Sequence, residues 1–381
     1  MRILVLGYII RGPLGGLAWH HLQYVLGLKQ LGHEVLFVED SEDYPACYDP
    51  QTSLVTEDPA YGLRFINDLF NYYNLQSQWA YYDAHTNRWY GRDKQYVFDF
   101  SSSADIVLNI SGVNPLRDWW VNIPSRVFID TDPGFTQIKI LTDTAYKALA
   151  NAHTVFFSFA ENIGQQYCSV PLADLTWIPT RQPIYIPAWK ICEPSPLEKW
   201  TTVMQWDSYQ AKEYDGRFYG MKSLSFKDYM TLPGRFTNEV FEIALGGVSA
   251  PREELKKNGW DLISSLVPTK TAQSYQEYIQ SSKGEWSIAK HGYVLSNSGW
   301  FSERSACYLA SGKPVLVQDT GFSKVLPTGK GLLIFTSMEE AEEAIRIINE
   351  QYALHCRSAR EMAEDHFDAS RVLTHILDRV T

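Results

Sequence analysis

Ser298-Gly-Trp-Phe-Ser-Glu-Arg-Ser-Ala-Cys-Tyr-Leu-Ala-Ser-Gly-Lys-Pro-Val-Leu-Val-Gln-Asp-Thr-Gly321 is the stretch from which the fold can be read. Its order is loop, helix, turn, strand, loop. Ser302 is placed to cap the helix, because a hydroxyl accepts from a free first-turn amide. Ala306 to Ala310 suits a short helix, Gly312 supplies the left-handed residue that ends one, and Pro314 stops any continuation. Val315 to Val317 is short, apolar and rich in β-branched side chains, which predicts a buried parallel strand. The strand empties into the polar loop Gln318-Asp319-Thr320-Gly321, and α/β sheets place their ligands past the carboxyl ends of strands. The free amides from Ser302 to Arg304 form an end that attracts phosphate, with Arg304 as a bidentate clamp. The stretch therefore reads either as an anion site beside a polyol-binding loop, or as an ordinary corner carrying a surface arginine.

Working back from it, Ser282-Lys-Gly-Glu-Trp-Ser-Ile-Ala-Lys290 leads into the same face, with Lys290 a candidate phosphate cation. Lys222, in Gly220-Met-Lys222, is a second candidate phosphate cation. Holding a phosphate without metal needs such groups, although any single lysine is as readily a solvated surface charge. The second half otherwise alternates: strands at Trp200 to Gln205, Phe241 to Leu245, Gly292 to Ser296 and Gly331 to Phe335. Helices fall at Ser274 to Gln280, Met338 to Gln351 (capped by Ser337), Ala359 to Phe367 and Ser370 to Val380, while Gly259 to Leu266 fits helix or strand.

The first half begins with a buried strand at Arg2 to Gly7, a loop holding Gly12, Gly15 and Gly16, a helix at Leu17 to Leu31, and a strand at Glu34 to Glu39. This βαβ unit implies parallel strands. Its glycines do not spell GxGxxG, and Pro13-Leu14 stand where a P-loop needs Lys and Ser/Thr, so both nucleotide motifs are rejected. A helix at Leu63 to Tyr73 and strands at Ala104 to Ser111, Arg126 to Asp130 and Thr154 to Ser158 follow. Pro183, Pro187, Pro194 and Pro196 mark a linker.

His20 and His21 lie one turn into the first helix, whose amino end lowers a histidine's pKa and keeps the neutral form a general base needs. Their side chains diverge, so at most one faces a cleft; both could instead be packing histidines. Asp130-Thr131-Asp132 stands at a strand end. Such a pair can bind a divalent metal or an acceptor hydroxyl, and equally caps turns before Pro-Gly.

The chain has 381 residues, enough for two domains, and a net charge of −10. That charge argues against nucleic acid as a partner, because nonspecific binding to it rests on positive charge. Aromatics are abundant, with 12 Trp, 23 Tyr and 18 Phe, and suit sugar stacking as well as core. The five cysteines are scattered without metal-ligand spacing, which fits reduced thiols and a cytoplasmic location. No signal peptide or membrane span is expected. Oligomeric state is not readable.

Leu309-Ala-Ser-Gly-Lys-Pro-Val-Leu316 resembles the end of the donor-site segment of GT-B glycosyltransferases of the "glycosyltransferase group 1", or family 4-like, kind. Their usual pattern is an acidic residue, a short loop, and a helix ending Glu-Ala-x-Ala-x-Gly-x-Pro-Val-Val. The Gly15-Gly16 loop and the Gly32-His-Glu-Val35 turn resemble the start of the same enzymes. The resemblance covers 1–40 and 298–335. It departs at the two glutamates, the second of which usually holds the nucleotide ribose: they fall on Gly299 and Cys307, and Glu303 is out of register.

The resemblance implies two Rossmann-like doubly wound α/β domains facing a cleft. Residues 1–185 would form the acceptor side, 186–199 the linker, 200–360 the nucleotide-sugar domain, and 361–381 a helix crossing back. It implies transfer of a sugar, of hexosyltransferase type, from a nucleotide-diphosphate sugar to a small-molecule or glycan acceptor. Lys222, Glu285, Lys290, Ser302, Arg304, Gln318, Asp319, Thr320 and Gly321 would hold the donor. Gly15, Gly16 and Asp130 would stand on the acceptor side, with His20 or Asp132 as base if the enzyme inverts. No cofactor is required and no metal is expected. The rivals are a sugar-nucleotide epimerase on the same scaffold and a non-catalytic nucleotide-sugar-binding protein.

Overall fold

The structure, a computed structural model, describes residues 1–192 and 199–380. Two sheets organise it. The first contains β1 (Arg2–Leu6), β2 (Glu34–Asp40), β3 (Trp79–Asp83), β4 (Arg88–Gly91), β5 (Ile106–Ile110), β6 (Ser125–Asp130), β7 (Val155–Ser158) and β8 (Trp177–Pro179). Their order is β8-β7-β6-β5-β1-β2-β3-β4, parallel except for the β3–β4 hairpin. The second contains β9 (Trp200–Gln205), β10 (Phe241–Gly246), β11 (Asp261–Ser264), β12 (Gly284–Ser287), β13 (Val315–Gln318) and β14 (Leu332–Phe335), ordered β11-β10-β9-β12-β13-β14 and parallel throughout. Strands such as β5 are buried along their whole length, as sheets covered on both faces require.

In each sheet the chain winds outward one way, returns to the middle and winds outward the other way. The reversals fall between β1 and β5 and between β9 and β12. Such switch points leave a crevice at the carboxyl ends of the strands, where doubly wound sheets bind ligands.

Several expectations needed correction. Residues 292–296 form the end of a short helix, His291–Leu295, rather than a strand; Ser296 donates to the Gly292 carbonyl through both its amide, at 3.1 Å, and its hydroxyl, at 2.7 Å. The place beside β13 is taken by β12, read above only as a lead-in. Its buried Glu285 is paired with Arg304, so a charged residue sits inside the sheet with its counter-ion. The 259–266 ambiguity resolves as β11. Ser302 occupies the cap position of the Glu303–Ala310 helix but its side chain makes no capping bond. Gly312 is left-handed, with φ +69°, as a helix terminator should be.

The chain passes between the two sheets twice, and the passages are bonded to each other. Ile184 N donates to Phe367 O at 2.7 Å and Ala369 N to Ile184 O at 2.8 Å. Residues 193–198 of the 186–199 linker lie outside the described residues; before them, Ile186–Ala188 is a 3₁₀ turn and Trp189 is buried. The last helix, Ala369–Leu377, packs on the first, Gly15–Gln30. A Cβ at Gly27 would stand 2.7 Å from the Ala369 Cβ, so the glycine permits that approach.

Candidate functional site

A cavity of about 350 Å³ lies where the carboxyl ends of both sheets meet. Tyr8 follows β1, Thr131 follows β6 and Phe159 follows β7; Val203, Met204 and Gln205 end β9; Ser302, Glu303 and Arg304 come from the helix start read first in the sequence. Gly16, Leu17 and His20 of the first helix close one side. A second cavity, of about 380 Å³, shares Tyr8 and Thr131 with it and continues past Asp132 to Tyr146, Tyr209 and Lys139.

The Gly-Gly loop is one place where the halves touch. Gly15 N donates to Thr269 O at 2.7 Å, and a Cβ at Gly15 would lie 2.2 Å from Thr271 O. A Cβ at Gly16 would meet the Tyr275 ring at 3.3 Å. Trp19 Nε1 adds a bond to Ala272 O at 2.8 Å.

The two histidines separate as their divergence predicts. His21 is fully buried; its Nε2 accepts from Tyr8 N at 3.3 Å and its Nδ1 lies 2.8 Å from Leu17 O. His20 lines the cavity, and burial lowers its pKa to about 4, against a raising contact with Gln182. It is neutral at pH 7.

Arg304 is not a free clamp. Its Nε meets Glu285 Oε1 at 2.5 Å, its Nη1 donates to Val203 O at 2.8 Å and its Nη2 to Ser287 Oγ at 2.6 Å. Glu285 is fully buried behind it and does not line the cavity, so its role is to hold Arg304. Lys290 is likewise engaged: its Nζ pairs with Asp132 Oδ1 at 2.9 Å and lies 4.4 Å from the centre of the Tyr209 ring. Lys222 differs from both, since no hydrogen bond or ion pair holds its side chain among the described residues. Burial and the neighbouring Arg304 and Lys290 push its pKa well below the ordinary lysine value, with Glu285 opposing. Lys222 thus lies within electrostatic reach of two cations that have carboxylate partners, and of the three only Arg304 lines the cavity.

Asp132 is not a free base. Besides Lys290, its carboxylate accepts from the hydroxyls of Tyr209 and Tyr293, which makes it an anionic bridge between the two halves. Asp130 is fully buried and accepts from Ser158 Oγ at 2.6 Å, Gln137 Nε2 at 2.7 Å and Asp132 N at 2.9 Å. Its carboxylate organises the β6 and β7 ends and lines neither cavity.

The loop after β13 is also internal. Asp319 accepts from Gly321 N at 2.8 Å and Ser323 Oγ at 2.6 Å, Thr320 donates to Trp300 O at 2.6 Å, and Gly321 O accepts from Asn162 at 3.0 Å. Gln318 and Thr320 border only a crevice of about 10 Å³. None of the four residues lines either large cavity.

Glu303, set aside as out of register, is the carboxylate that does line the cavity. The Cys307 thiol, one helical turn on, donates to its Oε1 at 3.0 Å, and Gln23 Nε2 lies 3.4 Å away. Burial raises its pKa to about 7, with Cys307 and Arg304 opposing. Residues 303 and 307 share a helix face, and that spacing was the available signal. Tyr8, Gln205, Tyr275 and Trp300 were not singled out; only Gln205 carried a clue, as the polar end of an apolar strand.

Two doubly wound sheets with their carboxyl ends turned toward a shared cavity define the GT-B class, and this chain has that architecture. Among solved structures, it is similar to an alpha-glucosyltransferase in complex with UDP-glucose and DNA containing an abasic site, with a TM-score of 0.61 at 12% identity, covering 100% of this chain and 99% of that one. Sucrose-phosphate synthase from Thermosynechococcus elongatus gives a TM-score of 0.53 at 12% identity, and Anabaena HepE in complex with UDP gives 0.54 at 12%; each match covers 100% of this chain and 99% of the other. The sequence matches no protein-family model and no curated protein.

One expectation is overturned here. Net negative charge was taken to exclude nucleic acid, yet a chain matched over its whole length holds DNA. Overall charge averages over the surface and says nothing about the few groups that face a cleft. Among the described residues no helix is long and apolar enough to cross a membrane.

Proposed function

We propose that this chain transfers a glycosyl group, of hexosyl type, from a nucleoside diphosphate sugar to an acceptor hydroxyl. The observation that carries the reading is Arg304 on the wall of a cavity at both switch points, with the buried Lys222 within electrostatic reach of Arg304 and Lys290. Lys222 lacks a counter-anion, and a diphosphate supplies one. The similar structures solved with UDP or UDP-glucose make a UDP-sugar the first donor to test.

In this reading residues 200–360 hold the donor and residues 1–185 the acceptor. As the bond from the anomeric carbon to the β-phosphate oxygen breaks, its electron pair goes to that oxygen, and the cations stabilise the charge that develops there. The acceptor oxygen forms the new bond to the anomeric carbon and loses its proton. His20, neutral and lining the cavity, is the assigned recipient if the configuration inverts. Glu303 accepts from hydroxyls of the bound nucleotide, the task for which Gly299 and Cys307 lack a carboxylate. The acceptor enters through the second cavity, past Tyr146 and Tyr209.

A thermal-shift screen of nucleoside diphosphates and their sugars tests the donor half. A ligand at a hundred times its dissociation constant adds about 2.7 kcal/mol of stability. Absence of a shift with every nucleotide would sink the assignment. Turnover is then followed as nucleoside diphosphate release with sugars, glycans and DNA oligomers as acceptors; binding without release under all of them identifies a binding protein.

A further inference from the structure

A separate pocket of about 230 Å³ opens beside the double passage of the chain. Glu161, Thr180, Arg181, His366, Arg371 and His375 line it, and none of them lines the two cavities described above. Arg371 and His375 are four residues apart on the last helix and exposed on one face. Among the described residues no side-chain hydrogen bond or ion pair engages either of them. Arg181 pairs with Glu161 Oε2 and reaches His366 O at 3.5 Å. Burial and the cations of Arg181 and Arg371 hold His366 below its ordinary pKa, which Asp365 opposes.

Two further atoms mark this as more than a basic surface. Thr180 Oγ1 and Glu161 Oε1 are buried without a hydrogen-bond partner, although Thr180 is only 5% exposed and the Glu161 side chain 7%. A buried polar atom left unpaired costs about 1–3 kcal/mol, so such atoms are expected to meet a partner. A fully deprotonated anion such as sulfate can take a hydrogen bond from Thr180 but cannot donate one to Glu161, and hydrogen phosphate can do so only by bringing its own charge against that carboxylate. A ligand with a phosphate at one end and hydroxyls at the other can satisfy both.

We infer that this pocket is a second ligand site that takes a small phosphorylated polyol, with the phosphate held by Arg371, His375 and Arg181 and a hydroxyl donated to Glu161. Its walls continue into the cleft: Gln182, next to Arg181, donates to His20 O at 3.1 Å, and Asn162, next to Glu161, donates its amide to Ser298 O at 3.1 Å. Occupancy therefore bears on segments that touch both the first helix and the second half.

Calorimetry on the full chain tests this with glucose 6-phosphate, inorganic phosphate and glucose. Saturable binding of glucose 6-phosphate is expected, at least tenfold tighter than that of phosphate, with glucose silent. Arg371→Ala and His375→Ala, both at exposed positions, should each weaken it at least tenfold, and Lys222→Met should leave it unchanged. No binding at millimolar concentration overturns the inference. So does loss of binding in Lys222→Met with retention in Arg371→Ala and His375→Ala, which moves the ligand to the main cavity. Equal affinity for phosphate and glucose 6-phosphate overturns the polyol assignment.

Discussion

Gly15→Ala adds one methyl group where the two halves touch, and the geometry fixes how much must move. The new Cβ would stand 2.2 Å from the carbonyl oxygen of Thr271 and 2.9 Å from Tyr275 Cβ, while side-chain Cβ atoms essentially never come closer than 3.0 Å to such neighbours. The first helix must therefore retreat by about 0.8 Å or more, taking Gly16, Leu17 and His20 with it and stretching the 2.7 Å bond from Gly15 N to Thr269 O. Overpacking of this kind costs about 1–3 kcal/mol, and a displacement of about 1 Å at reacting groups costs on the order of a hundredfold in rate. Gly16→Ala is the internal control, because its Cβ meets only a tyrosine ring, at 3.3 Å, that can yield by tenths of an ångström. Chemical denaturation and turnover of the donor identified by the nucleotide screen should both fall much further for Gly15→Ala. Equal behaviour of the two variants, or wild-type stability in Gly15→Ala, would refute the account of this contact.

Lys222→Met should weaken UDP binding tenfold or more by calorimetry while raising the midpoint of thermal unfolding. A lysine whose folded pKa lies below its unfolded value of about 10.5 destabilises the fold as pH falls through that range, and removing it lifts the penalty. Glu303 has the opposite profile: with a folded pKa raised from 4.5 to about 7, it costs stability as pH rises across that window. Glu303→Gln should therefore gain on the order of 1–3 kcal/mol at pH 8 and nothing at pH 4, and should flatten a UDP affinity that in the parent falls below pH 7. Arg304→Ala leaves Glu285 buried without its partner and should cost about 3–5 kcal/mol; adding Glu285→Gln should recover part of that loss in denaturant titrations.

What could be read in the sequence was what neighbours along the chain decide. The helix ending at Ala310, the left-handed Gly312 and the strand that follows depend on capping, backbone freedom and β-branching, all visible within a dozen residues. The strand Gly284–Ser287 was not legible, because its charged Glu285 is tolerated only through Arg304, nineteen residues away. The same pairing holds Arg304 in place, so a residue that looked like a free clamp lines the cavity already engaged by Glu285. The loop after β13 looked like a ligand loop because it is polar, but its polar groups are engaged within the loop and by Trp300 and Asn162. Glu303 was discounted by register against a family pattern, whereas helix phase places it on the face of Cys307.

The two passages between the sheets do not merely join them. With Ile184 bonded to Phe367 and Ala369 on either side, they form a single axle, and a rotation about it leaves those bonds intact. Opening the cleft by such a turn would instead break contacts at a distance in sequence, among them Gly15 with Thr269, Trp19 with Ala272, Asn162 with Ser298 and Asp132 with Lys290. The molecule is then a hinge with one pin, whose two leaves are fastened by several neutral hydrogen bonds and by an ionic clasp. Salt loosens only the second.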